Sequence, residues 1–97
     1  MQDPLSLTDK RITSRPDVMV RELRGESVLL DLASERYFGL DEVGTGMWRA
    51  LTGSPSVEQA IALLLEEYDV PPDRLREDVA SFVDTLSSAG LVDVRDA

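Results

Sequence analysis

The chain has no cysteine and no histidine in its 97 residues. Without cysteine there is no disulfide framework and no thiolate metal site, and nothing points outside the cytoplasm. Without histidine the commonest general base and metal ligand is missing too. Basic residues are scarce. Lys10 is the only lysine, and ten Lys and Arg face 19 Asp and Glu, for a formal net charge of −9. Nucleic-acid binding needs cations to neutralise phosphates, so no nucleic-acid partner is expected. No apolar run approaches the roughly 20 residues of a membrane helix, and the N-terminus lacks the basic-then-apolar pattern of a signal peptide. No membrane partner is expected either.

A chain of this length makes one domain with one modest core and little room for a deep catalytic cleft. Residues 1–15 are polar, with Pro4 and no clean period, and read as a flexible arm that tightens near Ile12. The domain proper is expected over residues 16–97. Asp17 to Leu23 carries Val18, Val20 and Leu23 at close to a period of two. The turn Arg24-Gly25-Glu26 then leads into Val28 to Leu32, which makes a β-hairpin. Asp31 interrupts the apolar run, so its face of the second strand is expected to meet water or a partner. A second turn at Ala33-Ser34-Glu35 returns the chain as Tyr37-Phe38-Gly39-Leu40, a short edge strand. Strand alternation puts Tyr37 and Phe38 on opposite faces, and Gly39 leaves room for another backbone to approach.

Helices follow. Asp41 is a good N-cap. Val43, Met47 and Leu51 share one face expected to be buried, and Gly44 and Gly46, costly in a helix, imply close approach to the sheet. Gly53 ends this helix. Ser56 and Gln59 fit a capping box, after which Val57, Ala60, Ile61, Leu64, Leu65 and Tyr68 form a wide apolar stripe. Pro72 suits the first position of a third helix, with Leu75, Val79, Phe82, Val83 and Leu86 on one face and Gly90 at its end. Leu91, Val92 and Val94 form a short terminal strand or simply cover the core. The fold class is α+β: a three-stranded antiparallel sheet, N-terminal, packed on three α-helices in a winged helix-turn-helix-like order.

No catalytic constellation emerges, and the chain is read as non-enzymatic, with no cofactor and no metal. The pairs Glu66-Glu67 and Glu77-Asp78 fall on outer helix faces. Gly44 and Gly46 lack the lysine and spacing of a phosphate loop. An acyl or peptidyl carrier would need a serine where Asp84-Thr85-Leu86 stands. The third helix, as a DNA reader, has two arginines against four acids and the wrong sign. What remains is peptide recognition at a sheet edge, where unpaired amides and carbonyls can accept another strand.

The pattern Tyr37-Phe38-x-Leu40-Asp41-x-x-Gly44-x-x-x-Trp48-x-x-Leu51 resembles the PqqD-like precursor-peptide recognition proteins, or RiPP recognition elements. Ser56-Val57-Glu58-Gln59-Ala60, Glu67-Tyr68-Asp69-Val70 and Leu86-x-x-x-Gly90-Leu91-Val92 extend the likeness over about residues 17–94. Pro71-Pro72 departs from the single proline the family often has there. The short standalone form is most similar to the leader-binding protein of lasso-peptide pathways.

That resemblance implies a non-catalytic protein that captures a precursor leader peptide as an added antiparallel strand. It would present the leader to a leader peptidase or another modifying enzyme, and in lasso pathways the leader commonly carries Tyr-x-x-Pro. By position, Glu35, Arg36, Tyr37, Phe38 and Gly39 would supply the backbone ladder. Arg74, Leu75, Asp78, Val79 and Phe82 of the third helix would line the opposite wall, although Leu75, Val79 and Phe82 equally suit an ordinary core. The rival reading is an acidic winged-helix regulator or scaffold that binds a protein partner.

Overall fold

In the computed structural model, residues 7–97 are described. Their order is β1 (Lys10–Ser14), β2 (Val18–Leu23), β3 (Glu26–Asp31), β4 (Arg36–Leu40), α1 (Glu42–Gly53), α2 (Val57–Glu67), α3 (Pro72–Ser88) and β5 (Val92–Asp96). Strands β2, β3 and β4 make the expected antiparallel sheet, and three helices follow it, so the α+β expectation holds. A second sheet pairs β1 with β5.

This second sheet alters the reading of the N-terminus. Residues 1–6 lie outside the described residues, but Leu7 to Ser14 is part of the domain rather than an arm. Leu7 and Ile12 are buried in the core, each stabilising the fold by about 1.5–3 kcal/mol if fully withdrawn from water. The Thr8 carbonyl also accepts the Glu58 N–H at the start of α2 (3.1 Å). Polar residues on β1 conceal the strand in the sequence because only Ile12 is an apolar, buried residue there. Its partner is the terminal segment left open above, which forms β5.

The core lies between the two sheets' inner sides and the helices. Leu29, Met47, Trp48, Leu51, Ala60, Ile61, Leu64, Leu75, Val79, Val83, Leu86 and Leu91 are buried together. The N-cap of α1 is as expected, with the Asp41 carboxylate accepting the Gly44 N–H at 2.8 Å. Ser56 accepts the Gln59 N–H at 3.2 Å and opens α2. Gly90 takes φ +75° after α3, the left-handed position glycine favours.

Two details of α1 differ from the expectation. Val43 is exposed and Thr45 is buried in its place, because the Thr45 hydroxyl pairs with that of Ser27 at 2.8 Å and ties α1 to β3. The helix also uses Gly46 against another helix end, not the sheet. A Cβ there would lie 2.5 Å from the Tyr68 hydroxyl, while Gly44 does pack near Leu40 of β4.

Candidate functional site

Hydrogen-bond phase decides what β4 can offer. The turn between β2 and β3 is two residues long, and Arg24 (φ 56°) and Gly25 (φ 83°) are both left-handed, as a type I′ turn requires. Such a turn closes on a hydrogen-bonded pair, here Leu23 and Glu26, and antiparallel pairs then alternate. Arg21–Val28 and Met19–Leu30 are therefore bonded pairs, and the bond from the Leu32 N–H to the Asp17 carbonyl (2.9 Å) continues the series.

Ser27, Leu29 and Asp31 must then bond toward β4, where their partners are Leu40, Phe38 and Arg36. Tyr37 and Gly39 are left over. Their N–H and C=O groups turn to the outer side of β4, which has no neighbouring strand among the described residues. An extended segment laid there would meet two donors and two acceptors spaced one residue apart.

The turn that leads into β4 is held by Asp31. Its carboxylate accepts the Ser34 hydroxyl at 2.8 Å and the Ala33 N–H at 3.1 Å. The Ser34 bond is the main reason its carboxyl is held below the usual range. Glu35 belongs to this turn, with φ 60°, and not to the strand in which the sequence placed it. A turn returning from Asp31 to Arg36 needs a left-handed residue before the strand resumes, which takes Glu35 out of the ladder.

Phe38 faces inward and packs against the core, while Tyr37 faces outward and is 75% exposed, so the two aromatics do lie on opposite faces. The faces of β3 are the reverse of the expectation at Asp31. Ser27, Leu29 and Asp31 share the inner side, with Leu29 fully buried, whereas Val28 is 42% exposed on the outer side. The inner polar residues are satisfied locally, Ser27 by Thr45 and Asp31 by its turn. The apolar outer residues are therefore the ones facing solvent.

On α3, Leu75 and Val79 are buried in the core. Arg74 and Asp78 are exposed one turn apart, and Phe82, half-buried, continues the same line. Helix α3 packs on α2 and β5. Among the described residues, no side-chain hydrogen bond or ion pair joins β4 to α3.

The outer face of the three-stranded sheet went unnoticed in the sequence. Met19, Leu23, Val28 and Tyr37 are all exposed there. An open groove of about 530 Å³ lies at its Leu23–Glu26 end, lined by Leu23, Val28 and Gly39 and by Ser27 and Leu40 of the inner face, with Arg21, Glu26 and Asp41 among its polar residues. Its signal was Gly39 standing directly across from Val28. Among the described residues, no group of three or more acids is placed to hold a metal ion, and no helix is long and apolar enough to cross a membrane.

The fold and its open strand define a class: small α+β modules that leave one edge of a three-stranded sheet unpaired. The family model described as coenzyme PQQ synthesis protein D (PqqD) matches residues 26–92. The chain belongs to the PqqD family. It is 32% identical over 72 residues to the PqqA binding protein of Rhizobium meliloti (strain 1021), covering 74% of this chain and 71% of that one.

Two solved structures share the fold. TbiB1 in complex with the TbiA(beta) leader peptide is 28% identical, with a TM-score of 0.79 over 84% of this chain and 94% of that one. Lasso peptide synthetase B1 complexed with the leader peptide is 26% identical, with a TM-score of 0.75 over 88% of this chain and 98% of that one.

Proposed function

We propose that this chain is a non-catalytic, cytoplasmic recognition protein that binds the leader of a ribosomally made precursor peptide as an added strand on β4. The observation that carries the reading is the pair of outward-turned backbone sites at Tyr37 and Gly39, in a chain whose relatives are named for binding PqqA or are solved in complex with a leader peptide. Main-chain bonds to these residues give affinity for any extended segment, and side chains around the edge select among segments.

Arg74 and Asp78, with half-buried Phe82 in the same line, supply a second contact, and Arg36 extends the edge toward the Asp31 turn. Likeness to the lasso synthetase subunit favours a lasso-peptide precursor, delivered to a separate leader peptidase or other modifying enzyme. In this role the protein lowers the entropy of a flexible leader before the enzyme meets it, and no bond need be made or broken on the chain itself.

The test is titration of the purified protein into a fluorescently labelled leader, taken from the precursor encoded nearest to this chain's gene, with anisotropy as readout. Saturable binding with a micromolar or tighter Kd is expected. Loss of binding is expected for a leader N-methylated at those alternate residues whose N–H groups would face β4. No saturable binding, or equal binding of the N-methylated peptide, would overturn strand addition.

A further inference from the structure

Two hollows of the surface meet on α2. A depression of about 390 Å³ lies between α1, α2 and the β2–β3 turn, and another of about 360 Å³ lies between α2 and the loop that precedes it. Leu63, 49% exposed, lines both and forms the ridge between them. We infer that this face of α2 is a docking surface for a basic protein partner other than the leader. The partner would bring an apolar side chain to Leu63 and a lysine or arginine to the depression on each side.

The face is separate from the peptide edge. Helix α2 packs on α1, α3 and β1. Its outer residues Glu58, Gln59, Ala62, Leu63, Glu66 and Glu67 are all exposed. Neither β4 nor the Arg74–Asp78–Phe82 line contributes to either depression, so a strand added on β4 leaves both open.

Charge complementarity sets the chemistry of the partner. Glu66 and Glu67 follow Leu63 by three and four residues and so flank the ridge, Glu67 in the first depression and Glu66 in the second. Glu42 joins Glu67 in the first. Among the described residues, none of these three carboxylates makes a hydrogen bond or an ion pair. Arg49, the one cation lining either depression, is held by Glu22 at 2.6 Å, with Glu67 a weaker influence on it. Tyr68 stands against Gly46 as a further wall of the first depression. A guanidinium or ammonium entering there meets two free carboxylates and an aromatic ring. A second copy of this acidic chain would set acids against acids at the same place.

Ser54, in the second depression, points to a ligand independently. It is 5% exposed and its hydroxyl has no hydrogen-bond partner, yet no side-chain polar atom among the described residues is both buried and unpaired. The hydroxyl therefore opens into the depression that Ser54 lines, free to accept a hydrogen bond from a cation paired with Glu66. A Cβ on the adjacent Gly53 would find no atom within 4 Å, so the entrance is clear.

The test pans a displayed library of random dodecapeptides on the chain alone and on the chain saturated with leader. The enriched peptides are then measured singly by anisotropy. Both pannings should enrich peptides in which basic residues flank a large apolar residue. Their affinity should fall at least tenfold when the basic residues become glutamine, and fall steeply as salt is raised to about 0.5 M. Leu63→Ser, and Glu66→Gln combined with Glu67→Gln, should each weaken these peptides at least tenfold in a folded protein whose leader affinity is unchanged. No enrichment, enrichment of acidic or neutral peptides, or binding that survives both variants would overturn the docking surface. Binding that saturating leader abolishes would give the face to the leader, and a dimer of the free chain that Leu63→Ser dissociates would give it to a second copy; either would also overturn it.

Discussion

The two edges of the three-stranded sheet are alike in length and differ in what occupies them. On β2, the residues whose backbone faces outward are Val18, Val20 and Glu22, by the same alternation that exposes Tyr37 and Gly39 on β4. The Val18 N–H is already taken by the Arg15 carbonyl at 3.0 Å. Glu22 is fastened to α1 through Arg49, whose Nε lies 2.6 Å from the carboxylate. On β4 no group of the described chain reaches the corresponding sites. A protein must cover or blunt an edge that it does not use. Here one edge has an amide occupied and a side chain braced by a helix, and the other has neither among the described residues; the open one follows a turn locked by Asp31.

Several substitutions would break or sharpen this contrast. Leu29 sits under the middle of the sheet, fully buried, with Val20 on one side and Phe38 on the other. Leu29→Ala should cost about 2–5 kcal/mol and abolish the difference by destabilising both edges, seen as an early chemical-denaturation midpoint. Thr45→Val leaves the buried Ser27 hydroxyl without its partner. It should cost about 1–3 kcal/mol, with leader affinity retained at temperatures where the variant is still folded.

Proline separates the edges directly, since it is tolerated where the lost N–H faces away from the sheet. Gly39→Pro should lower leader affinity at least tenfold while the protein stays folded by circular dichroism. Val20→Pro, the same change on the other edge, should leave affinity unaltered. Equal losses from both would show that the peptide does not distinguish the edges.

The smallest effects concern the exposed contacts. Arg49→Gln frees Glu22, and because the pair is solvent-exposed the melting temperature should barely change. Asp31 has its carboxyl lowered, chiefly by the Ser34 hydroxyl. Its stabilising effect is therefore present above the ordinary aspartate value of 3.8 and is lost as pH falls through the lower folded value. Asp31→Asn should lower the melting temperature more at about pH 7 than at about pH 3. A difference that grows on acidification would contradict the turn's role.

Much of this arrangement was legible in the sequence because periodicity and capping act locally. The stripe on α2, the Asp41 and Ser56 caps and the opposed faces of Tyr37 and Phe38 all follow from near neighbours. What escaped depends on distant partners. The strand β1 shows only one inward apolar residue and exists because β5, more than 70 residues later, pairs with it. Asp31 looked like a solvent-facing residue and lies on the inner face, since its turn satisfies it. For the candidate site, the edge strand was visible, but Glu35 was taken into it because a left-handed turn residue leaves no mark on a polar side chain. Leu75 and Val79 could not be divided between core and groove by helical spacing alone, as both uses share one face.

Amide hydrogen exchange, followed residue by residue with and without the leader peptide, tests strand addition most directly. Phe38 bonds to β3 in the free protein and should be protected in both states. Tyr37 and Gly39 should exchange fast alone and become protected when the leader binds, while Val20 and Glu22 on β2 should not change. Saturating leader with Tyr37 and Gly39 still exchanging as in the free protein would place the peptide elsewhere and contradict the account.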